Sequence, residues 1–171
     1  VAGETPLLRS SFEEEGEAPI AVSPRQILRR QLERAHCAGI VPFLASELEF
    51  FLFDETYRSA REKGYRDLEL SQGYNEDYHV LSGSFAEPVI GAIRRGVDAS
   101  GVPVEFSKGE ASPGQHEINL RYAEALEMAD RHVIYKLAAK EIAAQQGAAL
   151  TFMAKWHEVH GGNSMHVHMS L

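Results

Sequence analysis

The sequence has little of several features that mark common classes of protein. Its only cysteine, Cys37, cannot form an intrachain disulfide, and its place in a helical pattern predicts a buried thiol rather than a nucleophile. No apolar run approaches the roughly 20 residues that span a bilayer, and the N-terminus has no signal-peptide pattern. We therefore expect a cytoplasmic protein that has no membrane partner.

Basic clusters are also scarce. The chain has 17 Lys and Arg residues against 25 Asp and Glu residues, a formal net charge of -8, and no basic cluster beyond Arg29, Arg30 and Arg34. Nucleic acids and anionic membranes bind mainly to basic surfaces. The composition therefore argues against both as partners.

The length of 171 residues and the apolar content of 44% allow one buried core. The sequence begins at Val1 without methionine and stops at Leu171 inside an alternating apolar run, so we expect it to be part of a longer protein. Residues 1–22 show no sustained periodicity and are expected to be an incoming connection. Residues 23–171 are expected to form the start of one domain.

The stretch from Val41 to Phe53 predicts a largely buried strand, because it follows Gly39 and is rich in aromatic and branched residues. Side chains alternate between faces, so Glu47 and Glu49 point the same way with their Cα atoms roughly 6.5 Å apart. Two unpaired charges buried side by side would be costly unless cations compensate them. The spacing suits two carboxylates that each hold one of two neighbouring divalent metals. The alternative is a pair that faces solvent.

Periodicity and turn residues predict the other elements. Ser23 and Gln26 form a capping-box pattern at the start of a helix that Gly39 ends. Residues 54–78 are rich in charged and turn residues, which predicts a long surface excursion with little regular structure. The further predictions are a helix that Ser84 caps and that ends near Gly101, a strand at 102–106, a helix at 123–146 and strands at 148–156 and 165–171.

A turn at Ser112-Pro113-Gly114 is followed by an alternating stretch that predicts the second strand of a hairpin. Glu117 and Asn119 fall on one face of this strand, and the residues between and beside them on the other. Glu110 and Glu117 thus flank a tight turn that can bring both carboxylates to a common site. The alternative is a solvated turn whose acidic residues share no role.

The last strand pattern carries two histidines at alternate positions. His166, His168 and Ser170 share one face of this strand, and its apolar residues share the other. An H-x-H strand is one way to present imidazoles to a metal or a phosphate. Histidines at alternate positions also occur on solvated faces, so this pattern leaves both interpretations open.

In this order, four segments resemble the catalytic domain of the glutamine synthetase family. They are E-L-E-F-F-L-F at 47–53, K-G-E-A-S-P-G-Q-H-E-I-N at 108–119, T-F-M-A-K at 151–155 and M-H-V-H-M-S-L at 165–171. The resemblance covers residues 23–171 and implies an α+β fold, a mainly antiparallel curved sheet flanked by helices, here truncated. It places the family's N-terminal β-grasp domain before Val1, so that residues 1–22 would connect to it.

The resemblance implies two or three divalent ions, Mg2+ or Mn2+, in each site. Glu49, Glu110 and Glu117 correspond to the three carboxylates of the first ion. Glu47 and His166 correspond to two ligands of the second ion, and Glu49 and His166 are the catalytic candidates.

ATP is the co-substrate that the resemblance implies. Glu105, His168 and Ser170 fall where the family contacts it. The family's third ligand of the second metal, its acyl-phosphate arginines and its acid-base loop fall beyond Leu171, so this segment alone is expected to be inactive.

The activity that the resemblance implies is an ATP- and metal-dependent carboxylate-amine ligase. A glutamate-like acid would form an acyl phosphate, which ammonia or an amine would attack. The resemblance also implies a homo-oligomer, a dodecamer of two hexameric rings. A non-catalytic structural relative with the same fold is the alternative.

One departure from the family concerns the substrate. Where glutamine synthetases carry Asn-Gly, six and five residues before the first histidine of M-H-x-H, this chain has His160-Gly161 or, shifted by one, Gly161-Gly162. Either alignment loses the asparagine amide and leaves a wall with more room and flexibility at the glutamate-binding position. This favours a γ-glutamylpolyamine synthetase or another γ-glutamyl-amine ligase, unless Asn163 restores the contact by a shift along the loop.

Overall fold

The computed structural model describes residues 19–171. These residues divide at Pro42 into two units, of which Phe43–Ser170 is the larger. The smaller unit contains helix α1 (Pro24–Cys37), which is followed by Gly39 in the left-handed region with a φ of 76°. The predicted connection at residues 1–22 lies almost entirely outside the described residues, and the boundary at residue 22 stays a prediction.

Helix α1 begins and ends where its sequence predicts, but its capping differs. Ser23 makes no side-chain capping bond. The Ser23 N–H donates to Ile20 O at 3.0 Å, and Gln26 is buried instead of turning back to that N–H. The capping box is therefore replaced by a backbone turn.

The predicted burial of Cys37 is wrong, because its thiol is exposed. The apolar residues Leu28, Leu32 and Ala35 form a half-buried stripe on α1. Cys37 lies two positions after Ala35, and residues two apart on a helix do not share a face.

Strand β1 (Phe43–Phe53) is the central strand of the larger unit. It pairs antiparallel with β3 (Gln115–Leu120) and β4 (Ala123–Glu124), and with β5 (Ala149–Thr151) and β6 (Met165–Ser170). Glu47 pairs with both Asn119 and His166, so β3 and β6 lie on opposite edges of β1. Strand β2 (Val104–Gly109) adds to the outer edge of β3 and completes a six-stranded sheet.

One face of β1 carries the core, as its alternation predicts. Leu48, Phe50 and Leu52 are buried in a cluster that includes residues from helices α3 (Val80–Ala99) and α4 (Ala125–Gln145). Full burial of side chains of this size contributes about 1.5–3 kcal/mol each. At the centre, the fully buried Tyr135 donates its hydroxyl to Leu48 O at 3.4 Å. The result is an antiparallel sheet flanked by helices, the α+β architecture that the sequence predicts.

The prediction of little regular structure at residues 54–78 holds for most of this segment, with one exception. This segment contains helix α2 (Tyr57–Glu62), which starts with a complete capping box. Thr56 Oγ1 accepts from Ser59 N at 3.0 Å, and Ser59 Oγ accepts from Thr56 N at 2.9 Å. Two acidic residues of the segment, Glu55 and Glu76, are buried.

Other boundaries move for local reasons. Helix α3 begins at Val80, because His79 Nδ1 accepts from Ser82 N at 3.2 Å and caps it, while Ser84 Oγ donates to Val80 O inside the helix. Strand β2 is shifted toward the hairpin, and β5 is much shorter than the predicted 148–156.

Among the described residues, no helix has both the length and the apolarity needed to cross a membrane.

Candidate functional site

The face of β1 opposite the core is where the acidic residues meet. The register pairs Glu49 with Glu117 of β3 and Glu47 with His166 of β6. Directly paired residues in a sheet project to the same face, so these four side chains converge from three strands. The hairpin between β2 and β3 adds Glu110 to the same place.

Glu49, Glu110 and Glu117 form the first group. One oxygen from each carboxylate lies within 4.8 Å of the others. Glu49 and Glu117 are buried and Glu110 is half-buried. Burial raises the pKa of Glu117 to about 7, the charges of Glu47 and Glu110 add to this rise, and a hydrogen bond from Asn119 Nδ2 at 3.0 Å opposes it. The group therefore concentrates negative charge that a cation would relieve.

Glu47, Glu49 and His166 form the second group, with ligand atoms within the same 4.8 Å limit. His166 Nδ1 lies 2.8 Å from Glu47 Oε1 and His168 Nε2 lies 3.1 Å from Glu47 Oε2. The bond with His166 holds the pKa of Glu47 below its ordinary value, and the same bond raises the pKa of His166. Because Glu49 belongs to both groups, the two candidate sites share one carboxylate.

A lysine stands beside the first group. Lys108 Nζ donates to Glu110 Oε1 and makes an ion pair with Asp77 at 3.2 Å. Burial lowers the pKa of Lys108 but its bonds with Glu110 and Asp77 raise it, and the net shift is upward. Lys108 thus remains a cation that neutralises part of the acidic cluster.

The residues predicted to contact ATP line a single cleft of about 730 Å3. Glu105, His168 and Ser170 lie along it with Glu47, and Phe106 and Tyr122 supply apolar wall. Glu105, His168 and Ser170 are exposed. The cleft therefore adjoins the second group through Glu47.

Gly161 and Gly162, where the sequence predicts a roomier wall, are exposed, and each has one close neighbour in the direction of a Cβ. A Cβ at Gly161 would lie 2.7 Å from Ser112 Oγ, and one at Gly162 would lie 2.8 Å from Ala154 O. The side-chain amide of Asn163 donates to Met153 O at 2.9 Å and to Thr151 O at 3.3 Å. Hydrogen bonds between side chains and backbone atoms therefore hold this loop.

Two functional neighbours were missed from the sequence. Gln115 donates its side-chain amide to Glu49 Oε2 at 2.8 Å, and Ser164 donates its backbone N–H to the same oxygen at 3.0 Å. The alternation of β3 places Gln115 on the same face as Glu117, which is the signal that could have found it. Ser164 gave no signal, because a backbone donor carries no side-chain pattern.

Comparison with known proteins identifies the domain type. The family described as "Glutamine synthetase, catalytic domain" matches residues 21–171. The γ-glutamylethanolamide synthetase of Streptomyces coelicolor is 50% identical over 154 residues, which are 90% of this chain and 33% of that protein. Two further relatives are each 36% identical over 90% of this chain and 33% of their own length. They are a glutamate–isopropylamine ligase of a Pseudomonas species and the glutamine synthetase of Mycobacterium tuberculosis.

Solved structures agree with this match. One described as "Apo GmaS without ligand" superposes with a TM-score of 0.76 at 28% identity and covers 91% of this chain and 35% of its own. Its complex described with ADP gives a TM-score of 0.77. The chain thus spans about a third of the length of the relatives that it matches.

Proposed function

The chain belongs to the glutamine synthetase family, as the match to the catalytic domain over residues 21–171 requires, and from this membership we propose that the protein is an ATP- and divalent-metal-dependent carboxylate-amine ligase. The substrates would be ATP, glutamate or a similar acid, and an amine. The single observation that carries the proposal is the convergence of Glu47, Glu49, Glu110, Glu117 and His166 on one face of the sheet.

The donor set fits divalent cations. Carboxylate oxygens are the ligands that Mg2+ and Mn2+ prefer, and an imidazole also suits Mn2+. Glu49, Glu110 and Glu117 would hold one ion, and Glu47 and His166 would hold another beside the shared Glu49. When bound, such ions would offset the negative charge of the phosphoryl group that is transferred.

The chain's own residues would bind and orient the reactants. Glu105, His168 and Ser170 would contact the nucleotide in the cleft beside Glu47. Glu47 Oε2 would keep His168 in a fixed orientation. The γ-carboxylate oxygen of glutamate would bond to the terminal phosphorus of ATP as the bond to ADP breaks, and the amine nitrogen would then displace phosphate and lose a proton.

We favour an amine larger than ammonia as the acceptor. The relative with 50% identity is described as a γ-glutamylethanolamide synthetase, and another relative as a glutamate–isopropylamine ligase. The asparagine amide of glutamine synthetases is missing at residues 160–162, and the amide of Asn163 is bonded to backbone carbonyls. A site that has lost a hydrogen-bonding partner loses discrimination for the substrate that needed it. The polyamine reaction is one member of this class.

The experiment is phosphate release by the full-length protein with ATP, Mg2+ or Mn2+ and glutamate. The acceptors are ammonia, ethanolamine, isopropylamine and putrescine, each at several concentrations. We expect kcat/KM for at least one amine to exceed that for ammonia. A preference for ammonia would assign the protein to glutamine synthesis, and silence with every acceptor would support a non-catalytic relative.

We also propose that the protein acts as a homo-oligomer, a dodecamer of two hexameric rings, in the cytoplasm where ATP and glutamate are supplied. Support for the assembly comes from the family to which the chain belongs. Light scattering on the full-length protein tests it, and an active monomer would contradict it.

A further inference from the structure

A buried side-chain amide joins the acidic site to the loop before β6. Gln115 is 3% exposed, and its Nε2 lies 2.8 Å from Glu49 Oε2, 3.0 Å from Gly162 O and 3.4 Å from Asn163 Oδ1. One nitrogen with two hydrogens therefore serves a carboxylate on β1 and the loop at 161–163.

The hydrogen bonds to Glu49 favour one of its two oxygens. The donors Gln115 Nε2 and Ser164 N both bind Oε2. Within the described part of the chain, no hydrogen bond ends on Oε1. Oε2 is thereby held by the protein, and Oε1 is left with lone pairs for a cation.

The negative charge around position 115 explains why an uncharged amide suits this position. Glu49, Glu110 and Glu117 already lie together, and a fourth carboxylate would add to their repulsion. An apolar residue of the same length would leave Glu49 Oε2 without its closest donor in a buried place, which is costly for a charged acceptor. Glutamine supplies donors without adding charge.

We propose that Gln115 is a positioning residue: it fixes the Glu49 carboxylate against the loop at 161–163 so that Oε1 faces the metal. This inference rests on the proposed function, because it presumes a divalent ion at Glu49. Partners of this kind orient the residues that bind the metal, and their loss typically lowers metal affinity 10–100-fold.

The test is Mn2+ binding to the full-length protein without nucleotide, measured by the electron paramagnetic resonance signal of free Mn2+. Gln115→Met keeps the side-chain length and removes the donors. Gln115→Asn keeps the amide but withdraws it by about 1.5 Å, the length of one C–C bond. We expect both variants to weaken Mn2+ binding by at least tenfold. The metal-free proteins should remain folded, with Gln115→Met unfolding at a lower temperature because Glu49 loses its closest donor.

Two controls separate positioning from general disturbance. Gln145→Met makes the same chemical change at the exposed end of α4 and should leave Mn2+ binding unchanged. Asn163→Ala loosens the loop but leaves the bond between Gln115 and Glu49, so it should weaken binding far less than Gln115→Met. An equal loss in Asn163→Ala would assign the effect to the loop and overturn the proposal.

The remaining outcomes are also distinct. Unchanged Mn2+ affinity in a folded Gln115→Met or Gln115→Asn protein would show a purely structural role and overturn the inference alone. Absence of Mn2+ binding in the wild-type protein would overturn this inference together with the metal-dependent function. If Gln115→Met does not fold, Gln115→Asn, which keeps a polar group in the buried site, decides the question.

Discussion

Glu49 is the residue on which both candidate metal groups depend. It is buried, it supplies an oxygen to each group, and its Oε2 accepts from Gln115 and Ser164. From the sequence, Glu49 was assigned to the first ion alone. The sharing follows from the short distances between neighbouring strands and cannot be deduced from spacing along one strand.

Gly161 is a residue whose role changes once its contacts are known. The sequence predicts a roomier and more flexible wall at this glycine, and the structure adds that a Cβ there would lie 2.7 Å from Ser112 Oγ. The Gly161 N–H also donates to Ser112 Oγ at 2.9 Å. The glycine thus permits a close contact between the loop and the hairpin turn.

We expect Gly161→Ala to destabilise the full-length protein by about 1–3 kcal/mol, the usual cost of overpacking. Gly73→Ala is the matched control, because nothing lies within 4 Å of a Cβ at Gly73. Thermal unfolding measures both. Ser112→Ala removes the oxygen that a Cβ at position 161 would meet. The double variant should therefore lose less stability than the sum of the losses in the two single variants. A Gly161→Ala protein as stable as Gly73→Ala would contradict the packing.

Among the elements, the strands that carry the site were the most predictable. The alternation of β1 and β3 placed Glu47, Glu49 and Glu117 away from the core, and the register then brought them together. The period of two is a local property that survives without knowledge of the partner strand. Which strands pair with β1, and on which edge, depends on long-range contacts that the local pattern does not contain.

Elements that depend on side-chain partners were predicted less well. Strand β5 stops at Thr151, where Asn163 Nδ2 binds the carbonyls of Thr151 and Met153 in place of a continuing strand. Trp156, in the predicted remainder of that strand, packs edge-on against Phe53 with ring centroids 4.9 Å apart. The bonds of Asn163 and the packing of Trp156 on Phe53 join separate segments of the chain, so local periodicity does not predict them.

The buried carboxylate of Glu55 bonds to residues in and beside helix α2. Glu55 accepts from Lys63 Nζ, from Ser59 Oγ at 2.6 Å and from Glu69 N at 3.2 Å. The bond with Lys63 and then those with Ser59 and Glu69 lower the pKa of Glu55 from 4.5 to about 2. Because the folded-state pKa is the lower one, this stabilisation is present above about pH 4.5 and is lost as the pH falls toward 2.

The expected result is that wild-type stability falls between about pH 5 and about pH 2 more steeply than that of Glu55→Gln. Denaturant unfolding at each pH measures the difference. Glu62→Gln changes an exposed acid of the same helix and should keep the wild-type slope. Parallel curves for wild type and Glu55→Gln would show that the bonds of Glu55 do not favour its charged form.

At the scale of the whole molecule, the described residues contain two candidate metal groups and an adjoining cleft. The chain spans about a third of the length of its relatives, so the proposed activity, acceptor and assembly have to be tested on the full-length protein. Within the described residues, the two candidate metal groups share Glu49, and Glu47 also lines the adjoining cleft. These two residues are where metal binding and the proposed ligase activity should be coupled.

The most direct test is the number of Mn2+ ions bound by the full-length protein and by two isosteric variants, measured by titration. We expect the wild type to bind at least two ions. Glu110→Gln should weaken the binding of one ion, because Glu110 belongs to one group alone. Glu49→Gln should weaken the binding of both ions. The loss should exceed the roughly 10–100-fold loss that follows when a residue that orients a metal ligand is removed. Equal stoichiometry and affinity in Glu49→Gln and the wild type would contradict a metal site built on these carboxylates.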